Sequence, residues 1–111
     1  MTRPTRCRRI CMEPAYDSFF PDGVLTGEEV IMTLDEYETI RLIDLEEYTQ
    51  HECAKQMNIS RTTVAEIYKS ARYKMADSVV NGKQLLITGG NYQFCDGMTS
   101  PFCKKHCNRA V

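Results

Sequence analysis

The sequence predicts a mainly α chain: a helix-turn-helix of three helices, with an irregular basic N-terminal arm and a small C-terminal β-hairpin. Three observations predict it. Residues 50–69, Gln-His-Glu-Cys-Ala-Lys-Gln-Met-Asn-Ile-Ser-Arg-Thr-Thr-Val-Ala-Glu-Ile-Tyr-Lys, carry the spacing of two short helices joined by a tight turn. Val64, Ile67, Ala71 and Met75 recur every three or four residues, as one apolar stripe of a helix does. Thr33-Leu34-Asp35-Glu36 has the pattern of a capping box, which places a further helix before the pair.

Each element follows from local chemistry. Pro4, Pro14, Pro21 and Gly23 break any helix over residues 1–29, and Tyr16, Phe19 and Phe20 are expected to fold this arm back onto the domain. Val30 to Met32 is a short apolar run with strand character. From Thr33 a helix is expected to reach about Glu47, with Leu34, Tyr37, Ile40, Leu42, Ile43 and Leu45 as its apolar set. Thr49 is the expected N-cap of the next helix. Ala54 supplies the small contact that two steeply crossing helices need. Asn58 tolerates the left-handed backbone of the turn, Ile59 plugs it, and Ser60 caps the following helix. Nothing breaks that helix from Arg61 to Val80, and Asn81-Gly82 supplies the stop. Met75, Val79 and Val80 give its far end more apolar surface than a nucleic-acid contact needs, fit to pack on the domain or on a second subunit. Gln84 to Thr88 and Tyr92 to Cys95 read as strands, and Gly89-Gly90-Asn91 as the turn of a hairpin. The expected organisation is an arm (1–29), a helix-turn-helix domain (30–82), a hairpin (83–95) and a cysteine-bearing tail (96–111).

Composition limits the function classes. The chain has 111 residues, 42% hydrophobic and 26% charged, ordinary for one globular domain. No apolar run is long enough for a membrane span. The basic N-terminus lacks the apolar segment of a secretory signal, so a cytoplasmic protein with reduced cysteines is expected. The formal net charge is −1, but its distribution is uneven. Arg3, Arg6, Arg8 and Arg9 crowd the arm. Glu28, Glu29, Asp35, Glu36, Glu38, Asp44, Glu46, Glu47 and Glu52 face Arg41 alone in the middle, where a solvated acidic face is expected. Arg61, Lys69, Arg72 and Lys74 then outnumber Glu66 and Asp77. Phosphate binding responds to the local field, since charges beyond a Debye length of ~8–10 Å are screened.

These patterns point to double-stranded DNA as partner. Arg61, Thr62, Glu66 and Lys69 take the positions that face a major groove, where Arg61 can read guanine and Glu66 can accept from the cytosine amino group. Thr49, Gln50, Thr63, Arg72 and Lys74 are candidate phosphate contacts, which position without specifying. The arm arginines are candidates for the backbone or a minor groove. A homodimer is expected, because paired half-sites raise affinity. Competing readings are a protein-interaction module that never touches DNA, and a metal- or thiol-governed regulator. For the latter, Cys7 and Cys11 (C-x3-C), Cys95, and Cys103, His106 and Cys107 (C-x2-H-C) are candidate ligands for zinc or an iron–sulfur cluster. The competing readings are packed thiols for Cys7 and Cys11 and, for the tail cysteines, an ordinary flexible end or pairing with each other on oxidation; Cys53 is a core candidate. No phosphate loop, nucleophile elbow or paired-carboxylate motif is present, so no enzyme is expected.

Ser60-Arg61-Thr62-Thr63-Val64 resembles the DNA-reading helix in the fourth region of bacterial sigma factors. Over residues 3 to 95 the chain is also similar to a family of predicted DNA-binding proteins, domain of unknown function one-three-four. That resemblance rests on Arg3-Pro4, Cys7-Arg8-Arg9-Ile10-Cys11, Pro14, Phe19, Pro21 and the run from Asp35 to Leu42. It extends through the motif itself, Ala71-Arg72, Asn81-Gly82-Lys83 and Gly89-Gly90. It implies a prokaryotic protein with a sigma-like helix-turn-helix and no known target. Cys53 and the histidine beside Cys107 depart from the family pattern.

Overall fold

The computed structural model describes residues 8–10, 13–22, 27–90 and 92–94. Helix α1 (Leu34–Thr39) starts at Thr33, which is extended and cannot itself begin a helical turn. Its hydroxyl accepts the Glu36 N–H at 3.4 Å, and the Glu36 carboxylate accepts the Thr33 N–H at 2.9 Å. This is the expected capping box. The helix does not stay α-helical to Glu47. It passes into a π-helical segment, Ile40–Leu45, closed by the Glu46 N–H on the Arg41 carbonyl at 2.9 Å. The wider turns delay each later side chain around the axis. Leu42 therefore lands in the core, while Leu45, expected on the apolar face, is 73% exposed. Glu47, with φ +62°, breaks the segment.

Helix α2 (Gln50–Met57) opens with a second capping box, Thr49 with Glu52. It ends at Asn58, which takes the left-handed conformation (φ 61°, ψ 46°). The Ile59 N–H then donates to the Ala54 carbonyl at 3.0 Å. Ser60 accepts the Thr63 N–H at 3.1 Å and starts α3 (Arg61–Asn81), which runs 21 residues to a left-handed Gly82. At ~1.5 Å per residue, α3 is about 31 Å long.

Among the described residues, five short strands accompany the helices: β1 (Arg8–Ile10), β2 (Ser18–Phe19), β3 (Glu29–Met32), β4 (Gln84–Ile87) and β5 (Tyr92–Phe94). The expected C-terminal hairpin is corrected. β4 is the central strand of a three-stranded sheet, antiparallel to β2 and parallel to β3, whereas β5 pairs in parallel with β1 in a separate sheet. The reason lies at the two glycines. The Leu34 N–H donates to the Gly89 carbonyl at 2.9 Å, and a Cβ on Gly90 would lie 2.6 Å from the Asp35 carboxylate. Gly89 and Gly90, both at positive φ, carry the chain closely over the start of α1 instead of turning it back on β4. The arm does fold onto the domain, but through the β2 backbone; Tyr16, Phe19 and Phe20 stay exposed.

The core is in two parts, and α3 belongs to both. Ile10, Val30, Met32, Leu34, Leu85 and Ile87 gather around Ala71. Leu42, Tyr48, Cys53, Ala54 and Met57 gather around Val64, with Ile59 and Ile43 at the margin. The acidic middle is not simply a solvated face. Asp35, Glu36 and Glu38 are buried, and Arg41 clasps Glu38 with two hydrogen bonds of 2.9 Å. Carboxylates taken from water need such partners, because an unpaired buried charge is costly. No helix among the described residues is long and apolar enough to cross a membrane.

Candidate nucleic-acid interface

The α2–α3 pair presents the candidate surface. Ala54, Met57 and Val64 are buried where the two helices meet, so α3 is fixed to the domain along one side. At about 100° per residue, Thr62, Glu66 and Lys69 fall on the opposite side and Arg61 on the flank, about 90° from the buried side. All four are exposed. Among the described residues no ion pair joins Glu66 to Lys69. Beside the turn, His51, Lys55, Asn58, Ser60 and Arg61 line an open groove of about 630 Å³. His51 and Lys55 were not among the residues singled out from sequence; their spacing of four on one helix is the signal that could have drawn attention to them.

The other predicted positions divide by what holds them. Thr49 and Thr63 are tied into helix starts, Thr49 in its capping box and Thr63 beside Ser60 at 2.8 Å between hydroxyls. Gln50 opens α2 and is half-buried. The Arg72 guanidinium lies over the Tyr68 ring, 5.3 Å from its centroid. The Tyr68 hydroxyl donates to Asp44 at 2.6 Å, a bond that holds its pKa above the ordinary phenol value. Lys74 does not join the Arg61 surface. Its ammonium sits 2.8 Å from Glu36, which also accepts from the Ser70 hydroxyl at 2.6 Å. Burial pushes the Glu36 carboxyl up, but its bonds with Lys74, Ser70 and the Thr33 N–H outweigh that and leave its pKa lowered.

In the arm, Arg9 donates to the last carbonyls of α2, to Gln56 at 2.8 Å and to Lys55 at 3.1 Å. A cation at a helix C-terminus is favourable there. Arg8 is in β1, and Arg3 and Arg6 lie outside the described residues, as do Cys7, Cys11, Cys95, Cys103, His106 and Cys107. Among the described residues no group of three or more His, Cys, Asp or Glu could hold a metal ion. Cys53 is fully buried, and its thiol is pushed up to about 12, first by burial and then by the nearby Glu38 charge. It is a core side chain.

Similar proteins were found at the level of family. The family described as Protein of unknown function DUF134 matches residues 1–95. A UPF0251 protein of Desulfitobacterium hafniense is 55% identical over 100 residues, spanning 88% of this chain and 80% of its own length. A UPF0251 protein of Thermoanaerobacter pseudethanolicus is 48% identical over 98 residues, 86% of this chain and 83% of its own. Another, from Caldicellulosiruptor saccharolyticus, is 45% identical over 103 residues, 93% and 72% respectively. No solved structure matches the chain. With the arm, the α2–α3 pair and the glycine crossing all inside the matched residues, the chain belongs to the DUF134 (UPF0251) family.

Proposed function

We propose that the chain is a sequence-specific DNA-binding regulator of transcription, acting in the cytoplasm, and that α2 and α3 form a helix-turn-helix of the sigma region-4 kind. One observation carries this reading. The left-handed Asn58 turns α2 into α3 over a buried Ala54, and the first turns of α3 then expose Arg61, Thr62, Glu66 and Lys69 together. A helix held from behind with polar side chains in front is what major-groove readout requires. Arg61 makes a bidentate contact to guanine, and Glu66, with no ion pair to Lys69, accepts from a cytosine amino group. Thr49, Gln50, Thr63 and Arg72 bind phosphates at the flanks. Lys74 and Arg9 act one step back, the first by bracing α3 on α1 through Glu36, the second by closing the end of α2. No catalytic step is part of this role.

Selection of bound sites from random duplex, in reductant, tests the reading. Arg61→Ala is expected to weaken the selected site by about 1–3 kcal/mol, while Arg8→Ala weakens all sequences alike and lowers the salt slope. Equal affinity of wild type and Arg61→Ala for that site would remove Arg61 from the reading helix. Absence of any salt-dependent duplex binding would favour a protein-interaction role instead.

A further inference from the structure

The exposed side of α3 changes chemistry halfway along. Its first turns carry Arg61, Thr62, Glu66 and Lys69. Its last turns carry Tyr73, Ala76, Val79 and Val80, with Met75 at the margin. At 100° per residue, residues 72, 73, 75, 76, 79 and 80 cover a continuous arc of about 160°. Arg72 is the one charged side chain in that arc, and it lies over the Tyr68 ring. Tyr73 is 71% exposed, Val79 80% and Val80 77%. Beside the arc runs an apolar groove of about 320 Å³, walled by Phe19, Met32, Tyr37, Ile40, Met75 and Val79. Phe20 continues its wall past Gly82. A protruding apolar ridge next to an apolar groove on the same face is self-complementary, as an interface with two-fold symmetry must be.

We propose that this arc and groove are the surface through which two copies of the chain pair, with their α3 helices antiparallel. Two magnitudes select a second copy as occupant. Tyr73, Met75, Val79, Val80, Phe19 and Phe20 together offer on the order of 600 Å² per copy. The pair would thus bury about 1,200 Å², the lower edge of stable specific interfaces. The second magnitude is a distance, and it rests on the DNA-binding reading above. Antiparallel packing centred near Asp77 sets the middle of each reading segment, at residue 65, about 12 residues from the dyad. At ~1.5 Å per residue the two segments stand up to about 36 Å apart, which reaches the 34–36 Å between successive major grooves on one side of a duplex. The α3 helix is therefore long enough to read with one half and pair with the other.

Sedimentation velocity of the full chain in reductant, without DNA, tests the pairing apart from the reading. Wild type is expected to run as a dimer at ~50 µM, the concentration range of an interface this small. The double variant Val79→Asp/Val80→Asp is expected to run as a monomer with unchanged helical circular dichroism, since both side chains are already in water. Leu45→Asp, an equal insult at an exposed leucine off the groove, is expected to remain a dimer. A monomeric wild type, whether its own tail or another protein covers the arc, overturns the proposal. So does a double variant that still pairs, or a Leu45→Asp chain that does not. A dimer that binds no duplex leaves the pairing intact and removes only the spacing argument.

Discussion

Glu36 joins two distant helices of this molecule through one carboxylate. It closes the capping box of α1, accepts from Ser70 and holds Lys74, so it ties the start of α1 to the middle of α3. Its pKa is lowered in the folded chain. A group with a lowered folded pKa contributes stability above its unfolded pKa, and that contribution is lost as pH falls through the folded value. The expected window therefore opens at the ordinary carboxylate range, from about pH 5, and extends below it. Urea titrations should show the wild type losing stability steadily across that window, and Glu36→Gln losing less. At pH 7 the same variant should be less stable than wild type by roughly 1–3 kcal/mol, because Lys74 loses its counter-charge. Parallel pH profiles for the two chains would remove Glu36 from this role.

At the scale of elements, the α2–α3 turn depends on Asn58 being able to adopt a left-handed backbone. Residues with a Cβ and no local hydrogen-bonding group are disfavoured there by roughly 1–2 kcal/mol. Asn58→Gly should therefore leave stability within about 0.5 kcal/mol of wild type, whereas Asn58→Val should lose at least ~1 kcal/mol. Denaturant midpoints measure both, and a Val variant as stable as the Gly variant would show that the turn has another conformation open to it. The turn was legible in the sequence because every part of it is local: Ala54, Asn58, Ile59 and Ser60 lie within seven consecutive residues. The π-helical segment was not. Nothing in Ile40 to Leu45 breaks a helix, and its wider turns depend on which side chains the neighbouring core accepts, so the exposure of Leu45 could not be read from spacing.

For the whole molecule, β4 is the strand that makes one fold of the two ends of the sequence. It lies between β2 and β3, and Leu85 and Ile87 point into the core under α3. Leu85→Ala should cost about 2–5 kcal/mol by the cavity it leaves. Unfolding should then shift together when followed by helical circular dichroism and by tyrosine fluorescence, because the sheet and α3 share that core. Two separated transitions would show that the sheet and the helices fold independently.

The sequence by itself determined the helix starts at Thr33, Thr49 and Ser60, the stops at Asn58 and Gly82, and the side of α3 that faces inward. Caps, left-handed residues and apolar periodicity act over three or four residues, so they are written in the local order of the chain. Tertiary structure decided which strands pair and where the charges go. Gly89-Gly90 looks like a hairpin turn until the start of α1 is packed beneath it. Lys74 looks like a surface cation until Glu36, 38 residues earlier, is folded against it. Arg9 looks like part of a solvent-facing basic run until the end of α2 offers it two carbonyls. Each of these outcomes depends on contacts between distant segments, whose energies exist only once the core has brought those segments together.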